Sequence, residues 1–138
     1  MNAFGWALAT ALIWGAVPIL EKLGLAKTAP TIALFYRSLG VVIGLIFLGL
    51  FAVKPAELKA VDTRSIFLLV LAGFLASFVA QITFYNGLKM GEVSKVVPIS
   101  GSYHLIAFFL SILLLGETLT VIKLVGVFLI VSGVWLLR

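Results

Sequence analysis

The sequence lacks cysteine and contains little charge. Of its 138 residues, 11% are Asp, Glu, Lys or Arg, and one is histidine. Without cysteine the chain cannot form a disulfide, a thiolate metal site or a thiol nucleophile. It also has no glycine-rich loop followed by Lys-Ser or Lys-Thr, and no His/Glu metal pair at helical spacing. We therefore expect no catalytic residues, no metal ion and no cofactor.

Apolar residues are what the chain has in excess. Hydrophobic residues make up 63% of it, and its mean hydropathy is +1.27. A soluble domain of this length has too little interior to bury so much apolar surface. The apolar runs are about 20 residues long, as a helix needs to cross a hydrocarbon core of about 30 Å. The sequence therefore predicts an all-α integral membrane protein.

Charged residues and turn signals divide the chain into five predicted transmembrane helices within one domain, residues 1–138. The predicted spans are residues 3–25, 31–53, 65–88, 93–115 and 120–138. The last boundary is the least obvious, because a single bent helix could cover spans four and five. Gly116 and Glu117 are typical of a helix end, and Thr118 or Thr120 can start the next helix.

The basic residues that flank the spans are almost evenly divided between the two sides of the membrane. Leaving out Arg37, which lies inside a span, four are on the side of the N-terminus and five on the opposite side. Orientation follows the Lys/Arg excess on cytoplasmic loops, so this chain carries little orientation signal. Either it has one weakly specified orientation, or copies insert both ways and pair head-to-tail. These flanking cations account for the net charge of +5, and we expect a lipid bilayer, not nucleic acid, as the partner.

Polar residues inside the spans are the candidate functional positions. A charged side chain at mid-membrane costs roughly 3 kcal/mol or more, so it normally faces protein or water. Arg37 lies about 10 Å into its helix at ~1.5 Å per residue, and Glu21 is the nearest candidate counter-ion. The residues that we expect to line a solute cavity are Trp14, Glu21, Arg37, Gln81, Tyr85, Lys95 and Ser102.

Four-residue spacing predicts that some of these positions share a helix face. On span three the predicted stripe consists of Gly73, Ser77, Gln81 and Tyr85. Such a stripe, repeated on several helices, would line one cavity.

Other polar or helix-breaking residues have two open interpretations each. Glu21 and His104 could carry a proton, the histidine because its ordinary pKa is near 6.5, or His104 could be a packing residue. Lys95 could line the cavity or belong only to a turn. Pro18 and Pro98 could kink their helices at a binding site, or cause bends that neighbouring helices tolerate.

Several short strings occur in a fixed order along nearly the whole chain. They are Trp14–Lys22, Tyr36–Ser38, Gly91–Ile99, Leu115–Glu117 and Leu129–Gly133. Together they resemble the EamA domain of the drug/metabolite transporter superfamily, and Lys95–Ile99 is most similar to the stand-alone, single-domain members. In those members we would expect a polar or acidic residue soon after Ile99. Ser100–Ser102 follow here, so a substrate contact assigned to an acid there does not transfer.

The resemblance implies an architecture and a function. Full-length members look like two five-helix repeats of opposite orientation around a central cavity, so a five-helix chain would be half of a ten-helix inverted-repeat transporter. It would work by alternating access as an antiparallel homodimer, or as a heterodimer with a second five-helix chain. The implied activity is transport of a small metabolite or drug-like solute across the cytoplasmic membrane, commonly export.

The identity of the solute stays open between alternatives. Arg37 and Lys95 would give the cavity a positive character and favour an anion such as a carboxylate. A cation/proton antiporter similar to the small multidrug resistance proteins is the alternative, with Glu21 as the shared proton and drug site. A non-transporting membrane subunit of a hetero-oligomer is a third possibility.

Overall fold

The computed structural model describes residues 2–137, which form helices joined by short turns, with no strand among them. The helices are α1 (Ala3–Leu25), α2 (Pro30–Phe51), α3 (Pro55–Lys59), α4 (Thr63–Phe74), α5 (Ala80–Met90), α6 (Val93–Gly101), α7 (Tyr103–Leu115) and α8 (Val121–Leu136). A π-helical turn, Leu75–Val79, joins α4 to α5. The prediction of an all-helical protein is confirmed for the described residues.

Among residues 2–137, four helical segments are long and apolar enough to cross a membrane. They are Ala3–Leu25, Pro30–Phe51, Thr63–Met90 and Val93–Leu115. Large apolar side chains such as Phe47 are exposed along them, so these surfaces require lipid or another apolar partner. The fifth apolar helix, Val121–Leu136, has 16 residues and is roughly 24 Å long. The number of spans, five, therefore stays a prediction.

The structure separates the predicted fourth and fifth spans. Helix α7 ends at Leu115 because Gly116 has a left-handed backbone conformation, with φ of 67°. The Thr120 side chain accepts a hydrogen bond from the Lys123 N–H at 3.3 Å and caps α8. The end predicted at Gly116 and the start at Thr120 are confirmed, and the alternative of one bent helix is wrong.

Helix α3 lies in the stretch that the sequence predicted to be a loop. Pro55 occupies its first turn, where the missing N–H needs no partner.

The two prolines inside spans have different effects. Helix α1 continues through Pro18, which is buried, so the predicted interruption there does not divide the helix. Pro98 lies inside α6, which ends at Gly101, and Ser102 separates it from α7. Only the proline of the fourth span therefore lies close to a break in its helix.

The π-helical turn falls within the predicted stripe of span three. It lies between Gly73 and Gln81, and a π turn contains one residue more than an α-helical turn, so it changes the angle between the residues before and after it. Gln81 and Tyr85 share a face of α5, from which both reach Glu21. The continuation of the stripe to Gly73 and Ser77 stays a prediction.

The described residues form two compact units, one ending at Met90 and the other beginning at Gly91. In the first unit α1, α2 and α5 pack against one another. Its most buried apolar residues are Leu25, Leu34, Tyr85 and Leu88, with exposures of 1%, 3%, 2% and 0%. The second unit contains α6, α7 and α8. The small core of the first unit therefore lies near the C-terminal ends of α1 and α5.

Candidate functional site

The carboxylate of Glu21 on α1 is the centre of a polar cluster in the first unit. Its Oε1 accepts hydrogen bonds from Gln81 Nε2 at 2.9 Å and from the Tyr85 hydroxyl at 3.0 Å. Arg37 Nε lies 3.3 Å from the same oxygen. Side chains from α2 and α5 thus meet one oxygen atom on α1, and the predicted pairing of Arg37 with Glu21 is confirmed. We call Glu21, Arg37, Gln81 and Tyr85 the Glu21 cluster.

Local sequence explains how these side chains meet. Only four residues separate α1 from α2, so the two helices run back along each other and the end of α1 faces the start of α2. Gln81 and Tyr85 are four residues apart on α5 and therefore project from the same face. The π-helical turn immediately before α5 sets which face that is, because an additional residue rotates the following helix by roughly 100°.

The charges of the Glu21 cluster balance within the protein. The Glu21 side chain is 9% exposed and that of Arg37 31%, and a charge removed from water is costly unless it is paired and hydrogen-bonded. The guanidinium and the two neutral donors meet this need for Glu21. Arg37 is less well satisfied, because its Nη1 is buried and has no hydrogen-bond partner among the described residues.

An open cavity of about 440 Å³ borders the Glu21 cluster. Its lining residues are Val17, Leu20, Glu21, Gly24, Thr28, Ala33, Tyr36, Arg37 and Tyr85. Of the predicted cavity residues in the first unit, Glu21, Arg37 and Tyr85 are in this lining. Gln81 contacts Glu21 without belonging to the lining, and Trp14 lies outside it, with 63% of its surface exposed.

Sequence reasoning missed the apolar walls of this cavity. Val17 and Gly24 lie four residues before and three after Glu21, and Ala33 lies four before Arg37. Helical spacing around the two charged residues could have found them. These residues were missed because an apolar side chain in a membrane helix can line a cavity or face lipid, and the sequence does not distinguish the two.

The other predicted functional residues belong to the second unit. Lys95 lies in the first turn of α6, and the Ser102 hydroxyl donates to the Ile99 carbonyl oxygen at 2.7 Å. The His104 ring stacks on Tyr103 with centroids 4.2 Å apart, and its Nδ1 lies at hydrogen-bond distance from the Gly101 carbonyl oxygen. Ser102 also lines a largely apolar cavity of about 430 Å³ between α6, α7 and α8. Across residues 2–137, no three His, Asp or Glu side chains are grouped so that they could hold a metal ion.

Comparison with known proteins gives one family and three relatives. The EamA-like transporter family matches residues 1–138. A Sinorhizobium protein described as an uncharacterized transporter in the cobO 3' region is 28% identical over 137 residues, which are 96% of this chain and 93% of that protein. An uncharacterized transporter of Archaeoglobus fulgidus is 24% identical over 131 residues, which are 95% of this chain and 46% of that protein. An uncharacterized protein of Methanocaldococcus jannaschii is 30% identical over 96 residues, which are 70% of this chain and 69% of that protein. No solved structure matches the chain significantly.

Proposed function

Since the chain belongs to the EamA-like transporter family, we propose that it exports a small metabolite or drug-like solute across the cytoplasmic membrane by alternating access. The observation that carries this proposal is the Glu21 cluster beside an open cavity. Charged and polar groups are costly within apolar spans unless they face protein or water. A wet cavity inside the membrane is what a transported solute requires.

The proposed solute site is the cavity of the first unit, with contacts from Glu21, Arg37 and Tyr85. Trp14, Gln81, Lys95 and Ser102 remain proposed contacts in the assembled transporter. The proposed site uses side chains from helices that are separate in sequence, as is usual for solute sites between packed membrane helices.

We propose that two copies of the chain form an antiparallel dimer. The near balance of flanking basic residues supports dual insertion. Coverage of the relatives also supports pairing, because the chain matches 93% of the Sinorhizobium transporter but 46% of the Archaeoglobus one. The longer relative is long enough to contain a second unit of similar size. In the proposed dimer, a second copy of the short chain would take the place of that unit.

A cation/proton antiporter is the second candidate, because Glu21 is a carboxylate beside a cavity. The position of Arg37 disfavours it, since a guanidinium 3.3 Å away competes with any cation for that carboxylate. If the antiporter proposal is right, Glu21→Gln abolishes proton-coupled cation export. A Glu21→Gln protein that retains it removes the second candidate.

Transport by purified full-length protein in liposomes tests the leading proposal. The solutes are a panel of labelled amino acids, carboxylic acids and quaternary amines. We expect at least one class to cross faster than in protein-free liposomes. Arg37→Ala should slow its transport about tenfold or more, while Lys59→Ala in α3 leaves it unchanged. If no solute moves faster than in protein-free liposomes, or if the protein needs a different membrane protein to remain folded, the transporter proposal is wrong and a subunit role is favoured.

A further inference from the structure

Arg37 has one nitrogen paired within the protein and another without a partner. Its Nε contacts Glu21 Oε1, whereas its Nη1 is buried and has no hydrogen-bond partner among the described residues. A buried donor without an acceptor has lost its hydrogen bond to water and gained nothing in return. Because a guanidinium binds a carboxylate through two parallel N–H groups, this residue has unused capacity for an anion.

The partner that now occupies Arg37 is itself a carboxylate that can be neutralised. Glu21 Oε1 accepts from Gln81 and Tyr85 as well as from Arg37. When Glu21 takes up a proton, its carbonyl oxygen can still accept from the amide and the hydroxyl, so these donors stay satisfied. The guanidinium alone loses its counter-ion, which leaves a positive charge beside the cavity.

We propose, on the basis of the transport function above, that Arg37 binds the carboxylate of an anionic solute and that ionised Glu21 competes for it until it is protonated. Before binding, Glu21 carries one negative charge and Arg37 one positive charge. After binding, Glu21 is neutral, and the solute carboxylate balances Arg37. One proton and one monoanion enter together, and the cluster is neutral in both states.

Charge balance makes the two binding events cooperative. A solute anion bound beside ionised Glu21 would leave the cluster with a net negative charge, and a proton without the anion would leave it with a net positive charge. Either state is costly in a low-dielectric membrane interior. A cationic solute would meet the same difficulty, because Arg37 repels it from Glu21, which is the one carboxylate among the described lining residues.

The remaining groups around Glu21 in the first unit do not alter this balance. Tyr36 from α2 lines the same cavity with a neutral phenol. The ammonium groups of Lys22 on α1 and Lys89 on α5 donate to backbone carbonyl oxygens at helix ends. Among the side chains of this unit that face the cluster, Glu21 and Arg37 are thus the pair whose charges compete directly.

The residues that line the cavity indicate the chemical character of the solute apart from its carboxylate. Val17, Leu20 and Ala33 line it with apolar surface. Its volume, about 440 Å³, is in the range of small-molecule sites. The geometry therefore favours a small monocarboxylate with a largely apolar remainder.

Calorimetric binding to the full-length protein in lipid nanodiscs tests the proposal. The probes are benzoate, phenylacetate and 4-methyl-2-oxopentanoate, each compared with its neutral amide, between about pH 5.5 and pH 7.5. Repeating the titrations in buffers of different ionisation enthalpy counts the protons taken up. We expect uptake of about one proton per carboxylate. Because binding then consumes a proton, the affinity should fall up to about tenfold per pH unit as the pH rises.

Three variants and one control variant separate the roles of Glu21 and Arg37. Glu21→Gln should bind the carboxylates without proton uptake and without the fall in affinity at higher pH. Arg37→Gln should weaken carboxylate binding about tenfold or more. Arg37→Lys keeps the positive charge and should recover part of the binding, which would show that the loss in Arg37→Gln is not caused by misfolding. Lys59→Gln should match the unmodified protein. Loss of carboxylate binding in Glu21→Gln, persistence of its pH dependence there, or unchanged binding in Arg37→Gln overturns the proposal.

The transport assay distinguishes failure of this inference from failure of the proposed function. If neutral or cationic solutes are transported and Arg37→Gln has no effect, the chain is a transporter and the anion site is wrong. If no solute is transported at all, the proposed function itself fails.

Discussion

Lys22 and Lys89 each bind the backbone at the end of the other's helix. The Lys22 ammonium donates to the Leu88 carbonyl oxygen at 2.5 Å. The Lys89 ammonium donates to the carbonyl oxygens of Leu25 and, at 3.2 Å, Ala26. Carbonyl groups in the last turn of a helix lack partners within it and carry partial negative charge. These reciprocal hydrogen bonds therefore give partners to carbonyl groups at the ends of both α1 and α5. The two ammonium charges also offset the repulsion between the partial negative charges of these helix ends.

We predict that Lys89→Met destabilises the first unit. The change removes donors to the end of α1 next to Leu25, which is 1% exposed. The free energy of unfolding should fall by about 1 kcal/mol, the scale of a charge at a helix end. Thermal unfolding in detergent, followed by circular dichroism, measures this, with Lys59→Met as the matched control. Equal stability of the two variants would contradict the role of Lys89.

The Glu21–Arg37 pair should show strong coupling in a double-mutant cycle. Removing one partner leaves a buried charge without its counter-ion, which typically costs about 3 kcal/mol. Arg37→Met should therefore be less stable than Glu21→Gln/Arg37→Met, in which neither charge remains. Chemical unfolding of the four proteins gives the coupling energy. Strictly additive effects would show that the 3.3 Å contact has no energetic importance.

Asp62 should titrate below its ordinary range. Its carboxylate accepts hydrogen bonds from the Ser65 hydroxyl at 2.7 Å and N–H at 2.9 Å, and these bonds, the side-chain one first, lower the pKa of Asp62 from 3.8. The folded-state pKa is depressed, so this cap stabilises α4 fully above the unfolded pKa. The stabilisation is lost as pH falls through the lower folded pKa.

Carboxyl carbon NMR of the labelled protein measures this titration. The midpoint for Asp62 should lie below 3.8 and should rise in Ser65→Ala. Ser132→Ala in α8 is the control and should leave the midpoint unchanged. A midpoint that is insensitive to Ser65→Ala would show that the hydrogen bonds do not cause the shift.

Dual insertion predicts that one engineered cysteine is reached from both sides of the membrane. The chain has no cysteine of its own, so Lys59→Cys in α3 introduces a unique label site outside the spans. A membrane-impermeant maleimide should label about half of the copies in intact cells, and the remainder only after the cells are opened, as expected for unbiased orientation. Labelling of all copies, or of none, from outside would establish a single orientation.

The all-helical class of the protein, the approximate limits of its long helices and its family could be predicted from the sequence. Hydropathy is a sum over neighbouring residues, and a helix that crosses lipid needs no distant partner for its backbone. The helix end at Gly116 and the cap at Thr120 are equally local. The pairing of Arg37 with Glu21 was predictable because buried charges need a counter-ion and few acids lie inside the spans.

Tertiary structure decided how the Glu21 cluster is assembled. Gln81 and Tyr85 reach Glu21 Oε1 from α5, which follows a π-helical turn that no residue pattern indicated. The reciprocal hydrogen bonds of Lys22 and Lys89 require α1 and α5 to be neighbours, and the cavity walls depend on how α1 and α2 pack. Local sequence specifies which segments are helical and apolar, but the register and packing between helices determine which side chains meet.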